Sequence, residues 1–553
     1  MNSWLIIGVL ALYILILFVC AFFGEKHASR LSPRGRMLLF SLTLGVYCSS
    51  WTFYGATGAA VREGIIFLPI YLGPLLFVGL GYDIWRRLGR VRQHHAISSI
   101  ADFVAARYGK SGPLASLVTI LAVIAIIPYL ALQLRAIALS ASVMLEQNAG
   151  VMSTTTNGVL ALTGVLAILA MMFGTRQIAN TEQHGGLMLA VAFESFVKLF
   201  ALICVALFFL FDSPENIIQV SKDVTKTFHE VQLFGVPDTF WVQTLLAGLA
   251  IICLPRQFHV AVVELRDEKH IRGARRWFAA YLILTVFAII PIASWALHAA
   301  PEYLAIPDVA VLSLPLSYNQ DWLTLLAFLG GFSASTGMLL VSSVALSIML
   351  SNDLIMPALW RFNLLSRHDK RLPQVLKFVR RICILAVMLL GFLFFHFFND
   401  IDQLSVFGLL AFSAVAQFAP ALIGGLYWRG GSKQGVYAGL IAGFAMWTYT
   451  LLFPTVLRSL PDEYYQFTYS FLMFGPLGID WLKPEALLGF ESFAPLTHGV
   501  IWSLGLNIIL YIWISRIYRP SIAEQIQAES FFYYETKPLL TQRTSNEISS
   551  LHH

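Results

Sequence analysis

Charged residues are scarce in this sequence. They make up 12% of 553 residues, whereas water-soluble globular domains carry about 25%. Hydrophobic residues account for 58%, and the mean hydropathy is +0.72. This composition excludes a water-soluble protein and predicts a chain that lies mostly in a lipid bilayer.

Cysteine and catalytic motifs are also in short supply. The five cysteines fall in or beside apolar runs, at spacings that suit neither a metal cluster nor a disulfide framework. No phosphate-binding loop and no Ser-His-Asp arrangement is found in the sequence. We therefore predict no cofactor, no enzymatic activity and no ATP-driven transport.

What the chain does contain is a series of apolar runs, each able to cross a hydrocarbon core about 30 Å thick. We predict thirteen spans, numbered here in chain order: 4–23, 37–58, 65–85, 115–144, 158–174, 186–211, 239–260, 277–299, 323–351, 382–398, 405–428, 434–455 and 498–515. Span 1 lacks a basic leader and is too long for a signal peptide, so we interpret it as a span.

Basic residues occur mainly in alternate loops. Loops such as 86–110, 266–276 and 361–380 are rich in Lys and Arg, whereas the other set holds only Arg62, Lys222, Lys226, Arg458 and Lys483. The positive-inside rule then predicts an external N-terminus and a cytoplasmic C-terminus, as in a bacterial inner membrane. This topology accounts for the net charge of +6, so no nucleic-acid partner is needed.

Two spans contain residues that do not suit a continuous membrane helix. Span 2 has "CSSWTFYGATG" at its centre, and span 7 ends in "CLPRQFHVAVVE". Interrupted helices at matching places in two five-helix halves are typical of inverted-repeat transporters. We predict an all-α polytopic membrane protein in which spans 2–6 (37–211) and 7–11 (239–428) are inverted repeats. Residues 1–515 would form the membrane domain and 516–553 a cytoplasmic tail.

Two further stretches carry a family resemblance. "SSIADFVAARYGKSGPLASL" (98–117) and "QFAPALIGGLYWRGGSKQGVYAGLIAG" (417–443) resemble the sodium/solute symporter family, whose members have the LeuT fold. The resemblance covers essentially the whole membrane domain. It implies cotransport of a small solute with Na⁺ or H⁺ by alternating access.

A narrower resemblance is to the membrane part of CbrA-like sensor histidine kinases. It is carried by "YCSSWTFYGATG", "IPYLALQLRAIALS", "CLPRQFHVAVVE" and "FSASTGMLLVSSVALSIMLSNDLIMP", with "PSIAEQIQAESFF" (520–532) similar to the joining segment. The sequence contains no phosphoacceptor helix or ATP-binding domain. The resemblance implies histidine as the first solute to test, and an alternative function as a sensing module for a separate or truncated kinase.

The family also implies where a sodium ion would bind. It lies there between the break of span 2, here near Gly45 and Cys48, and the span 9 hydroxyls, here Ser333, Ser335 and Thr336. Hard cations prefer such oxygen ligands. In membrane helices, however, Ser and Thr also simply bond back to their own turn. Tyr47 stands where proline carriers of the family have an acidic residue, which leaves proton coupling open.

The solute site is expected beside that point, where spans 2, 4 and 7 meet. Buried arginines in membrane spans are rare and indicate function, although Arg256 could instead extend to the cytoplasmic surface. The aromatic candidates could equally be packing residues. The predicted solute-binding residues are Ser49, Ser50, Trp51, Tyr54, Gln133, Arg135, Arg256, Gln257 and His259.

Span 6 contains one further charged pair. Glu194 and Lys198 are four residues apart and so share a helical face. We interpret them as an internal ion pair, with a structural role favoured over a proton relay.

Overall fold

The structure is a computed structural model that describes residues 3–27, 31–145, 156–174, 185–212, 214–298, 306–364, 371–398 and 404–536. Every regular element in these ranges is a helix. Part of the basic loop 361–380 used above to predict orientation, residues 365–370, lies outside the described residues, as does the tail after residue 536.

Each predicted span coincides with a helix or a bent pair of helices. The bounds are Ser3–His27, Pro33–Tyr47 with Trp51–Phe67, Pro69–Leu80, Gly112–Leu145, Thr156–Gly174, Gly185–Phe211, Asp238–Cys253 with Pro255–Val263, Glu268–His298, Asp321–Met349, Leu372–Phe397, Leu404–Tyr427, Lys433–Arg458 and Pro495–Ile517. Among the described residues, nine single helices and the two bent pairs are long and apolar enough to cross a membrane, while spans 3 and 5 are shorter. The prediction of an all-α polytopic membrane protein is confirmed.

Several helices lie between the spans. Tyr82–His94 and Ile100–Arg107 precede span 4, and Pro214–Phe234, called here the outer helix, follows span 6. The short helix Ala310–Ser317, between spans 8 and 9, was not predicted. The predicted bounds of span 3, residues 65–85, are too long. The helix ends at Leu80, and after Gly81 the chain continues as the polar helix Tyr82–His94.

Spans 2 and 7 are broken where the sequence predicts it. The chain becomes extended at Cys48, where ψ is 96°, and at Leu254, where ψ is 125°. The halves, called here 2a and 2b or 7a and 7b, are bent by 73° in span 2 and by 53° in span 7. Pro255 is the first residue of 7b, a position where its missing N–H costs nothing and its fixed φ favours the helix.

Spans 3 and 7a pack closely together just before the break in span 7. A methyl group on Gly73 would overlap the backbone of Thr244 and Gly248 and the side chain of Ala247. A methyl group on Gly248 would in turn lie 3.1 Å from the Gly73 carbonyl oxygen, so the two helices pack with their main chains close together. Small residues allow such close approach in membrane proteins, where packing drives helix association.

This contact gives a stability prediction. We expect Gly73→Val to destabilise the protein by about 1–3 kcal/mol, because the added side chain must push the two helices apart. The control is Gly79→Val in the same helix, since nothing lies within 4 Å of a methyl group there. Thermal unfolding of both purified variants in detergent would check this; equal melting temperatures would contradict the packing argument.

Candidate functional site

The breaks free backbone carbonyls in the middle of the protein, and polar side chains bind them. The Lys198 Nζ donates hydrogen bonds to Gly45 O at 2.6 Å and to Cys48 O at 2.5 Å. The Gln257 Nε2 donates to Leu44 O at 3.2 Å. Since lipid offers no hydrogen bonds, carbonyls released by a broken helix must be satisfied inside the protein. Spans 6 and 7 do this for span 2.

Span 9 faces the same region through Glu194. The Thr336 hydroxyl donates to Glu194 Oε1 at 2.9 Å, and the Ser333 hydroxyl donates to the Glu194 carbonyl at 2.9 Å. Ser335 instead donates to Gly331 O, one turn back in its own helix. Both Glu194 and Lys198 are buried and their charges attract each other, but the predicted ion pair does not form as a direct contact, because each residue bonds to a different partner.

These contacts test whether the predicted sodium ligands fit an ion. The carbonyls of Gly45 and Cys48 both accept from the Lys198 ammonium, and two of the three span 9 hydroxyls bond to Glu194. The structure brings four of the five predicted ligands into one cluster. In this arrangement the Lys198 ammonium already binds both carbonyls, so the span 2 half of the predicted site does not fit a sodium ion.

A second polar group joins spans 2b and 4 beside this cluster. Ser49 Oγ lies 2.9 Å from the Tyr129 hydroxyl. The Ser50 hydroxyl and amide both donate to Gln133 Oε1, at 2.7 and 3.2 Å. All four residues are fully buried. The start of 2b is therefore held against one face of span 4.

Arg256, from the start of 7b, completes this group. Its Nη2 donates to the Tyr129 hydroxyl at 3.2 Å, and its guanidinium carbon lies 4.6 Å from the centre of the Tyr129 ring. An exposure of 1% rules out the interpretation in which Arg256 reaches the cytoplasmic surface. Among the described residues, its Nε and Nη1 have no hydrogen-bond partner. Two N–H groups of a buried guanidinium are thus left for a ligand.

Aromatic rings enclose the same point. The ring of Phe412 in span 11 lies 5.1 Å from Trp51, 5.7 Å from Tyr129 and 6.3 Å from Tyr47, measured between ring centres. Trp51 also packs over Gly408 of span 11. Such rings could contact a flat solute side chain, or could only pack the helices together.

Three predicted solute-binding residues lie apart from this group. His259 faces Glu264 within 7b, with 3.6 Å between Nε2 and Oε1. Tyr54 packs against Gly331 of span 9 and the ring of Phe53. Arg135 interacts electrostatically with the buried Asp308, which accepts a 2.7 Å hydrogen bond from Arg62 and one from the Leu404 amide. These contacts of the three residues are with parts of the protein outside the group around Tyr129 and Arg256.

Sequence reasoning missed Tyr129 and Phe412, the two residues that touch most of the group. Tyr129 lies one turn before Gln133 in "IPYLALQLRAIALS", so the helical repeat could have found it. Nothing in the sequence distinguishes Phe412 from the other phenylalanines of its apolar span.

A cavity lies below the breaks, at the predicted cytoplasmic ends of spans 2, 6 and 7. Its lining includes Arg36, Phe40, Glu264, Arg266 and His270. On the opposite side, the ion pair of Arg62 with Asp308 joins 2b to the loop before span 9. The ion pair and the cavity thus lie at opposite ends of the broken spans, and none of the described residues in the group around Tyr129 and Arg256 lines the cavity.

The arrangement matches a solved transporter over nearly its full length. A Na⁺-coupled sialic acid symporter superimposes with a TM-score of 0.63, covering 93% of this chain and 98% of that one at 12% identity. This protein has the LeuT fold. Its five-plus-five inverted repeat, with the broken spans 2 and 7 as the first helix of each half, is the architecture that the sequence predicts.

Curated sequence relatives agree with this architecture. Two uncharacterised symporters of Bacillus subtilis strain 168, YhjB and YodF, are 24% and 25% identical to it over 436 and 421 residues. The alignments cover 77% and 74% of this chain, and 83% and 79% of those proteins. No model of a known protein family matches the chain. The relatives are transporters and not enzymes, and the resemblance to sensor kinases stays a prediction.

The hydrogen bond between Ser49 and Tyr129 gives a second prediction. Ser49→Ala and Tyr129→Phe should each lower stability, and the double variant should lose less than their sum, with a coupling of about 1 kcal/mol. The measurement is thermal unfolding in detergent. Tyr129→Phe combined with Thr225→Ala, on the exposed outer helix, should be additive. Additivity in both pairs would show that the bond does not form.

Proposed function

We propose that this protein is a secondary active transporter of a bacterial cytoplasmic membrane. It cotransports a small solute, an amino acid such as histidine, with sodium or protons by alternating access. The relatives' description as symporters and the LeuT fold support this proposal. The binding residues we assign are Arg256, Gln257, Gln133, Ser49 and Ser50, together with Tyr129.

The observation that carries the proposal is the half-satisfied guanidinium of Arg256. A buried cation with two free N–H groups is costly unless a ligand or partner binds it. A carboxylate presents two oxygens in the geometry that a guanidinium recognises. The 7b half-helix also begins beside Arg256, and a helix start favours negative charge. An anionic group of the solute therefore belongs at Arg256.

The remaining contacts favour an amino acid over a simple anion. Gln257 Oε1 is buried and, in the described part of the chain, accepts no hydrogen bond. It could accept from a solute amino group while Arg256 binds the carboxylate. Trp51, Tyr129 and Phe412 provide ring surfaces next to these polar groups, which suits a flat side chain such as imidazole.

Alternating access requires the two sides of the site to open in turn. The Arg62–Asp308 ion pair and the Leu404 amide hold one side closed. A cavity lies at the opposite ends of spans 2, 6 and 7, and we propose that the approach from water on that side starts there. The bends at Cys48 and Leu254 allow the halves of each broken helix to move separately.

Arg256→Ala tests the solute site. We expect at least a tenfold loss of histidine uptake into proteoliposomes, because a charged hydrogen bond in a buried site is worth about 1.5–3 kcal/mol. Arg256→Lys should keep the charge but not the two-pronged geometry, and should restore uptake only in part. Sodium and proton gradients imposed separately would identify the coupling ion.

The matched control is Arg272→Ala, at an exposed position of span 8. It should transport like the wild type. Unchanged uptake by Arg256→Ala would contradict the assignment of the solute site. If no member of a panel of labelled amino acids accumulates in wild-type vesicles under either gradient, the carrier proposal fails.

A second candidate function is sensing, and one contact path favours it. The tail helix Ile522–Thr536 lies against the protein, with Phe531 5.5 Å from Phe103, which is 6.3 Å from Phe258 in 7b. Glu524 accepts a hydrogen bond from the Lys433 amide. Partial burial lowers the pKa of His95, so its neutral ring can pack on Phe531 at 4.6 Å. Movement of 7b could thus be transmitted to the tail.

Hydrogen exchange would test sensing. If the protein is a receptor, histidine should bind saturably without accumulating, and exchange in residues 522–532 should change on binding. Phe531→Ala should abolish that change without altering the histidine Kd, because it cuts the path outside the site. Ile526→Ala, 60% exposed on the same helix, should behave like the wild type. Identical tail exchange with and without bound solute would contradict sensing.

A further inference from the structure

The Lys198 ammonium lies at the place where the sequence predicts a sodium ion. Its Nζ is 2.6 Å from Gly45 O and 2.5 Å from Cys48 O, and the residue is 4% exposed. We propose that Lys198 is a tethered cation that permanently replaces sodium between spans 2 and 9. The inference rests on the proposed function only where it concerns solute transport.

The two carbonyls show why both cations cannot share this position. Each carbonyl directs its lone pairs at a positive charge 2.5–2.6 Å away. A sodium ion bound to the same oxygens would lie close to the ammonium, in a buried region where repulsion between like charges is poorly screened. Arg256 is a further cation that repels this position.

The other half of the predicted sodium site is also joined to span 6. The Ser333 hydroxyl donates to the main-chain carbonyl of Glu194. The Thr336 hydroxyl lies 2.9 Å from Glu194 Oε1 and 3.0 Å from Phe332 O, so its one hydrogen is shared between span 6 and its own turn. Glu194 lies one turn before Lys198 in span 6, so both partners come from a single helix.

Span 6 therefore makes the connection that a bound ion would make. Lys198 attaches to the break of span 2, and Glu194 attaches to span 9. Lys198 and Glu194 already carry opposite charges, and Arg256 adds a second cation nearby, so a sodium ion here would add positive charge that nothing balances. In a carrier, solute binding then requires no sodium at this position.

A binding experiment on the purified full-length protein tests the replacement without any solute. Two quantities are measured: the binding of ²²Na⁺ to the protein, and the melting temperature of the protein in sodium and in choline at equal ionic strength. In the wild type, neither sodium binding nor any rise of the melting temperature in sodium should be abolished by Ser333→Ala or Thr336→Val. Lys198→Ala should melt several degrees lower in choline and recover part of this loss in sodium, because the freed carbonyls and Glu194 can then bind the ion.

The matched control is Lys222→Ala, at an exposed position on the outer helix, which should behave like the wild type. A saturable sodium response in the wild type that Thr336→Val or Ser333→Ala abolishes would overturn the proposal. So would a folded Lys198→Ala protein that binds no more sodium than the wild type. If Lys198→Ala does not fold, Lys198→Met takes its place. If neither variant folds, the wild-type result decides the question alone.

These outcomes are separate from those of the proposed function. A protein that accumulates no amino acid fails as a carrier, while its sodium binding can still be measured. If it does accumulate solute, replacing sodium by choline should change the solute Kd by less than about twofold, whereas a sodium ion bound beside the solute would give a larger, saturable effect.

Discussion

The structure depends on how the carbonyls at the break of span 2 are satisfied. A helix that opens inside a bilayer must find new partners for its backbone, because lipid supplies none. Here the partners are the Lys198 ammonium for Gly45 and Cys48, and the Gln257 amide for Leu44. Since these side chains come from spans 6 and 7, the break also fixes where those spans lie, and Arg256 is positioned by the residue next to it.

Two groups of polar residues follow from this constraint. The first, around Lys198 and Glu194, joins spans 2, 6 and 9 and contains both a cation and a carboxylate, although Glu194 Oε2 has no partner among the described residues. The second, around Tyr129 and Arg256, joins spans 2, 4 and 7 and leaves guanidinium N–H groups open. A cluster that contains opposite charges is suited to holding helices together, whereas a buried guanidinium with open N–H groups is suited to binding an anionic ligand. The contrast explains why we assign the solute to Arg256.

The membrane spans and both breaks could be predicted from the sequence, because apolar length and an internal Pro-Arg-Gln run are local signals. Shared helical faces were equally readable, as with Glu194 and Lys198. The partner that each helical face contacts could not be predicted from the sequence. The pairing of Lys198 with span 2 depends on the packing of helices 150 residues apart in the chain. Phe412 and the helix Ala310–Ser317 gave no distinctive pattern, since both belong to ordinary apolar sequence.

The most direct test of the sodium replacement is an experimental structure of the protein in a sodium-rich buffer, at a resolution that distinguishes an ion from a side-chain amine. If Lys198 replaces sodium, its side-chain density will end within hydrogen-bond distance of the carbonyls of Gly45 and Cys48, with the Thr336 hydroxyl on Glu194. An isolated density peak coordinated by those carbonyls and by Ser333 and Thr336, with the lysine turned away, would contradict the replacement.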